Sequence, residues 1–288
     1  MVRRVIVALG VVLATGCGDV NATLAKVSEA RQLAADLLVQ FTRTADAANR
    51  AVMADTDETS VEFAREAEQA TAAAQKDIDA LAPILQELGY SDETRLLSEF
   101  TSRFSEYRAL DRRILDLAVE NTNLKAQRLA FGPAQDAANA FRDALKAVAP
   151  AAPATAWRVE ALVAEAITTV REIQVLQAPH IADADEAVMT RMETQMSTSG
   201  TAARKAIQAL RALASPASAS KLDAATAVLN RFIELNAQII ALSRRNTNVR
   251  SLALSLDQKR KLTVSCEESL HALQNALAKR GYTGIREH

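Results

Sequence analysis

An all-α fold of two tandem antiparallel four-helix bundles is predicted for this chain on three observations. Apolar residues recur at steps of three and four over long stretches, the spacing of one buried helix face. Helix breakers are scarce, with 8 Gly and 6 Pro in 288 residues, and Ala-rich runs with 4% aromatics suit close helix packing. Short polar or Pro-containing breaks divide the pattern into segments of about 30 residues, each roughly 45 Å long. Short loops between such segments make neighbours antiparallel.

The elements follow in order. Val20 to Ala54 carries Leu24, Val27, Leu33, Leu37, Phe41, Ala45, Ala48 and Val52 at helical spacing, and Asp55-Thr56-Asp57-Glu58 stops it. Thr59 with Glu62 forms a capping-box pair that opens a second helix ending near Gly89, with Pro83 a kink point near its end. Ser91 caps a third helix reaching Glu120. Asn121-Thr122-Asn123 is a turn signal, and a fourth helix runs to Val148, starting or bending at Gly132-Pro133. Pro150-Ala151-Ala152-Pro153 is the most linker-like stretch, and Trp157 just beyond it reads as an anchor closing the junction between bundles. Four more helices follow: Thr155 to Gln177, Asp183 to Leu213, Ala219 to Arg245 and Val249 to Lys279. The expected division is a first bundle at 24–149, a linker at 150–154 and a second bundle at 155–288.

The halves read as copies. At a spacing of 125 residues, Leu97, Phe100, Phe104, Tyr107, Leu110, Ile114 and Leu117 fall on Leu222, Ala225, Leu229, Phe232, Leu235, Ile239 and Leu242. The same spacing places Asn121-Thr122-Asn123 on Asn246-Thr247-Asn248, Phe141 on Cys266 and Leu145 on Leu270. In the second helices the spacing becomes 129, pairing Lys76, Ile78, Ala80 and Leu81 with Lys205, Ile207, Ala209 and Leu210.

The N-terminus predicts the compartment. Met1-Val2-Arg3-Arg4 is basic and Val5 to Leu13 is apolar, too short for a span of about 20 residues, so residues 1–16 read as a secretory leader. Ala14-Thr15-Gly16-Cys17 resembles the lipobox of bacterial lipoproteins, which implies acylation of Cys17 and a tether at 17–23. Each buried methylene of the lipid adds about 0.8 kcal/mol of membrane affinity. The expected location is the cell envelope, facing the periplasm, with Gly18 favouring the outer membrane. No second apolar span follows. Cys266 is then the one remaining thiol, so no internal disulfide forms. Formal net charge is −1, from 34 basic and 35 acidic residues, and gives no electrostatic reason for a nucleic-acid partner.

Each half also resembles the four-helix-bundle periplasmic sensor domain of methyl-accepting chemotaxis receptors and related kinases. The stretches that carry the resemblance are Phe104 to Val148, with an aromatic-led third helix, a polar turn and an Ala/Leu helix interrupted by Gly132-Pro133, and His180 to Asn248. The resemblance implies a sensory ligand-binding role in a tandem arrangement like that of bimodular helical sensors. Where some receptors place polar contacts before the fourth helix, Leu129-Ala130-Phe131-Gly132-Pro133-Ala134 is apolar.

Candidate binding residues cluster at the turns that end the third helix of each half. Arg112, Arg113, Asn121, Asn123, Lys125 and Arg128 recur in kind as Arg244, Arg245, Asn246, Asn248 and Arg250. Arginine beside a helix N-terminus can hold a small carboxylate or phosphate; the alternative is that Asn caps a helix and Arg lies on a solvated face. His180 with Asp183, Asp185 and Glu186 could ligate a metal, yet reads better as a helix cap with acidic first-turn charges. Met189, Met192 and Met196 form a stripe that reads as gap-filling core, and Cys266 as a buried, inert thiol. No metal, cofactor or catalytic constellation is expected. Two readings remain: a sensor-like module whose small anionic ligand or partner helices shift its packing, and a structural spacer that binds envelope proteins. Either could self-associate through its helices.

Overall fold

The structure, a computed structural model, describes residues 17–283. The expected leader at 1–16 lies outside the described residues, as does the Cys17 side chain on which the expected lipid anchor rests. Ten α-helices are described: α1 Cys17–Met53, α2 Asp57–Glu87, α3 Ser91–Glu120, α4 Thr122–Leu129, α5 Gln135–Lys146, α6 Ala156–Ala182, α7 Glu186–Leu213, α8 Ala219–Arg245, α9 Thr247–Leu254 and α10 Arg260–Thr283. Five-residue π-helical segments, Ala130–Ala134 and Ser255–Lys259, join α4 to α5 and α9 to α10. Among the described residues there is no strand, and the all-α expectation holds.

Local chemistry explains the helix ends. Gly89 adopts a left-handed φ of 68°, and Tyr90 N–H reaches back to Leu85 O at 3.0 Å to close α2. The Asp185 carboxylate accepts from Ala187 N and Val188 N at 2.7 and 3.1 Å, so it is the N-cap of α7, the role preferred for this segment over metal binding. The α2 start differs from expectation. It opens at Asp57 because the Thr56 hydroxyl accepts from Thr59 N at 3.1 Å, so the capping hydroxyl is Thr56 and Thr59 lies inside the first turn.

The helices form two compact units. Of the described residues, the first takes those up to Asn49, then Phe63–Asp111 and those from Asp257 onward; the second takes Arg50–Glu62 and Arg112–Leu256. The first unit packs Leu37 and Phe41 of α1, Ile78, Leu81 and Leu85 of α2, and Phe100, Phe104 and Tyr107 of α3 against Cys266, Leu270, Leu273 and Leu277 of α10. Its aromatic rings touch, with Phe41 edge-on to Tyr107 at 5.1 Å and Phe100 stacked on Phe104 at 5.4 Å between centroids. The second unit buries Phe141 and Leu145 of α5 with Val170 and Ile173 of α6, Ile207 and Leu210 of α7, and Leu229, Phe232 and Ile239 of α8.

This composition corrects the expected boundaries at 24–149, 150–154 and 155–288. α1–α3 are completed by α10, and α4–α5 packs with α6–α8, so each half of the sequence gives its fourth helix to the other. The expected linker lies inside the second unit. Ala151 N donates to Leu213 O and Ser215 N to Ala149 O, both at 2.9 Å, and the Ser218 hydroxyl accepts from Ala149 N at 2.9 Å. The physical reason sits at the breaks before α4 and α9. Each break is a single left-handed residue, Asn121 at φ 50° and Asn246 at φ 51°. Helical hairpins need loops of about two to five residues, so a one-residue break sends the chain onward and leaves no room to fold back.

The spacing of 125 recurs in the structure. It relates the two left-handed asparagines and also the two π-helical segments, although Gly132-Pro133 has Asp257-Gln258 as its counterpart. A π-helical segment at this position therefore does not require the Gly-Pro pair.

Trp157 is a second correction. It is 68% exposed beside Arg158 on an apolar groove of α6 and α7, within the second unit, and closes no junction.

Candidate functional site

The four candidate asparagines meet inside the second unit, with the two threonines between them. Thr122 N donates to Thr247 Oγ1 and Thr247 N to Thr122 Oγ1, both at 3.1 Å. Asn123 N donates to Asn248 Oδ1 and Asn248 N to Asn123 Oδ1, again at 3.1 Å. Asn123 Nδ2 reaches Asn246 Oδ1 and Asn248 Nδ2 reaches Asn121 Oδ1, each at 2.8 Å. These reciprocal bonds form a clasp with local two-fold character. It satisfies the backbone N–H groups that the helix starts would otherwise leave open, so those donors are occupied by protein.

The clasp is not symmetric at its edges. Asn246 Nδ2 donates to Asp183 O at 2.7 Å and Asn123 Nδ2 to Ile181 O at 2.6 Å, anchoring the α6–α7 turn. Asn121 Nδ2 is buried without a hydrogen-bond partner. A buried amide without a partner costs about 1–3 kcal/mol.

The candidate cations disperse around the clasp. Arg244 forks onto Glu193, with Nε to Oε1 at 2.6 Å and Nη2 to Oε2 at 3.0 Å, and its Nη2 also reaches Thr190 Oγ1 at 2.7 Å. Arg245 pairs with Glu120 at 2.8 Å and Arg128 with Asp57 at 3.1 Å. The Lys125 ammonium donates to Glu120 O at 2.7 Å, covering a C-terminal carbonyl of α3. Arg112, Arg113 and Arg250 are exposed. The asparagines are thus gathered, and the cations are not gathered with them.

Sequence reasoning missed the setting of His180. The ring is fully buried, with Nδ1 2.8 Å from Ser243 Oγ and Nε2 2.8 Å from Glu193 Oε1. Ser243 Oγ also donates to His180 O at 2.8 Å, so its single hydrogen is committed and Nδ1–H is the donor to Ser243. Arg244 holds the Glu193 carboxyl below the usual range, first through its hydrogen bonds, with His180 adding to the effect. Serine, histidine and glutamate in a hydrogen-bonded row are catalytic residue types. Here Ser243 has no exposed surface and its proton points at a carbonyl, so the row ties α6, α7 and α8 together. A signal was present: Val170, Ile173, Gln177 and His180 share one buried stripe of α6, which directs His180 inward. Gln177 Nε2 likewise bonds Asn236 Oδ1 at 2.9 Å, and Asn236 Nδ2 approaches Met196 Sδ at 3.6 Å.

The first unit holds a buried ion pair in its aromatic core. Lys259 Nζ lies 2.9 Å from Asp111 Oδ1, with side-chain exposures of 2% and 5%, and 5.7 Å from the Tyr107 ring centroid. Burial raises the Asp111 carboxyl and lowers the Lys259 ammonium, each opposed by its partner. The same unit carries an open groove of about 750 Å³ between α2 and α3. Its apolar floor includes Ile78, Ala82 and Leu97, its rim includes Ser98, Ser102 and Ser105, and Glu106 is its sole ionisable lining residue. Among the described residues, no cluster of His, Cys, Asp or Glu converges as a metal site, and no helix is long and apolar enough to cross a membrane.

Residues 3–155 match a family model described as a four helix bundle sensory module for signal transduction. No curated protein and no solved structure matches the chain.

Proposed function

The chain belongs to the family of four-helix-bundle sensory modules for signal transduction, and from that premise we propose that it is a non-catalytic sensor of the cell envelope. In this reading acylated Cys17 holds it to the membrane, outer rather than inner, and the helices face the periplasm. A small ligand binds and alters helix packing, and a membrane partner reads the change.

The family match is the observation that carries this reading. The groove between α2 and α3 is the best-supported place for the ligand: it joins an apolar floor to a hydroxyl rim. With Glu106 as the ionisable lining group, the groove suits a small hydroxylated or amino compound better than an anion. Of the six candidate arginines, which suggested an anion, Arg128, Arg244 and Arg245 face carboxylates of the protein. Any anion taken there would use the exposed Arg112, Arg113 or Arg250.

A thermal-shift screen with polyols, amino acids, polyamines and organic acids tests the proposal. Ligand at about 100 times its Kd adds roughly 2.7 kcal/mol of stability, and Ser102→Leu, which fills the groove, should abolish that shift. Stabilisation by organic acids alone, untouched by Ser102→Leu, would reject the groove. Silence across the screen would reject ligand sensing. Exposed Trp157 on the α6–α7 groove supports the second reading, a spacer that binds envelope proteins. Loss of a copurifying partner in Trp157→Ala would favour it. Labelling with a fatty-acid analogue, lost in Cys17→Ser, tests the anchor.

A further inference from the structure

The exchange of fourth helices raises a question of recognition. α10 and α4–α5 share apolar layers, with Phe141 and Leu145 at the positions where α10 has Cys266 and Leu270, all fully buried. α10 alone continues to Leu273 and Leu277, because α5 ends at Lys146. Over the shared layers hydrophobic burial scarcely distinguishes them, being non-directional. A second copy of the chain could offer its 122–146 helix to α1–α3, and the one-residue break at Asn121 would be undisturbed.

One buried layer is not interchangeable. Asp111 on α3 and Asn236 on α8 are counterparts at the spacing of 125, and both are buried. Their opposite numbers differ more. Lys259 closes its π-helical segment in the first unit, and its counterpart Ala134 closes the matching segment in the second, which packs against α8. Asp111 is met by Lys259 at 2.9 Å, whereas Asn236 is satisfied by Gln177 and needs no charge from the fourth helix.

We propose that the Asp111–Lys259 pair is a sorting device that assigns α10, and not the 122–146 helix, to α1–α3, so that exchange occurs between unlike halves of one chain and not between like halves of two copies. If like halves paired, Asp111 would face Ala134 and Lys259 would face Asn236. That leaves one buried carboxylate and one buried ammonium without a counter-ion. A buried pair adds little net stability over apolar residues of similar volume, but an unpaired buried charge is strongly penalised. Such a pair therefore acts by rejecting the wrong partner.

The test uses the full chain with two cysteine reporters, a short flexible bismaleimide, and mass spectrometry of the linked peptides. Arg103→Cys with Ser269→Cys reports α10 on α3, since Arg103 Nη1 bonds Ser269 Oγ and Ser265 O. Arg103→Cys with Ala144→Cys reports the 122–146 helix in that place, Ala144 being the counterpart of Ser269. With the native pair, the 103/269 link should exceed the 103/144 link by about a hundredfold. Moving the lysine by Ala134→Lys with Lys259→Ala should shift this preference at least about tenfold toward 103/144, with a linked dimer rising with protein concentration. An unchanged preference in a variant that keeps its helical circular dichroism overturns the proposal. Should the moved-lysine variant lose its helicity, Asp111→Asn with Lys259→Met decides. It removes both charges at similar volume and should stay folded while the preference falls at least about tenfold. An undiminished preference for the 103/269 link, or failure of this neutral variant to fold, also overturns the proposal.

Discussion

Asn246 and Asn121 form a matched pair on which the clasp can be tested. Both are single left-handed residues, at φ 51° and 50°, and both are buried in the same unit. Replacing either with alanine keeps a Cβ in the left-handed region and forfeits the polar side chain by which asparagine tolerates it, at up to about 1–2 kcal/mol and equally in each case. The side chains differ. Asn246 donates to Asp183 O at 2.7 Å and accepts from Asn123 Nδ2 at 2.8 Å, so its loss removes two buried hydrogen bonds worth about 1 kcal/mol each. Asn121 accepts from Asn248 Nδ2 at 2.8 Å, but its own Nδ2 has no hydrogen-bond partner. Removing it deletes one bond and also relieves an amide that was desolvated without return. Asn246→Ala should therefore cost roughly 2 kcal/mol more than Asn121→Ala. Urea unfolding followed by far-ultraviolet circular dichroism reads the difference as a shift in midpoint. Asn→Gly at the same positions removes the backbone strain and should leave the 2 kcal/mol gap, about the same size, in place. Equal costs at the two positions, or a larger cost at Asn121, would refute the assignment of unequal anchoring.

Other consequences are open to direct measurement. Hydrogen bonds from Arg280 lower the Glu93 carboxyl, as those from Arg244 lower Glu193, from a reference of 4.5. Their stabilisation is fully present above the unfolded value of 4.5 and is lost as pH falls through the lower folded values. Melting temperature should drop on acidification below 4.5, with a shallower slope in Glu93→Gln and Glu193→Gln. The Cys266 thiol is fully buried and pushed up to about 12 by burial, so iodoacetamide should leave its peptide unmodified in native protein and label it in urea. Trp157 is the single tryptophan and is exposed, so its fluorescence should be quenched by iodide in the folded protein. Trp157→Ala should change stability by no more than about 0.5 kcal/mol.

Most of what is local in this molecule could be read from residue order. The stripes Leu97–Phe100–Phe104–Tyr107 and Leu222–Ala225–Leu229–Phe232 are buried as their spacing predicts, because a helix with one apolar side has one way to hide it. The turn signals at Asn121 and Asn246 and the break near Gly132-Pro133 also mark real irregularities. The capping hydroxyl of α2 was not legible: Thr59 was expected, and Thr56, which offers the same chemistry three residues earlier, is the one that accepts from Thr59 N.

The candidate site was less legible because function types and structural types use the same side chains. Asparagine at a turn can bind a ligand or another asparagine, and the choice depends on whether a second turn lies against it. The clasp exists because residues 125 positions apart come within 3.1 Å, a contact that no window of sequence contains. The inward row of His180, Ser243 and Glu193 likewise draws on three helices.

Helix identity and most buried faces follow from interactions within a few residues, so they were present in the chain order itself. Exact ends were not: α6 continues through Pro179 to Ala182, past the expected stop at Gln177. The pairing of each fourth helix with the other half was not. Over the layers they share, apolar stripes are degenerate as partners, and in our proposal their choice falls to a one-residue left-handed break and to an aspartate and lysine that meet only once the bundle has closed.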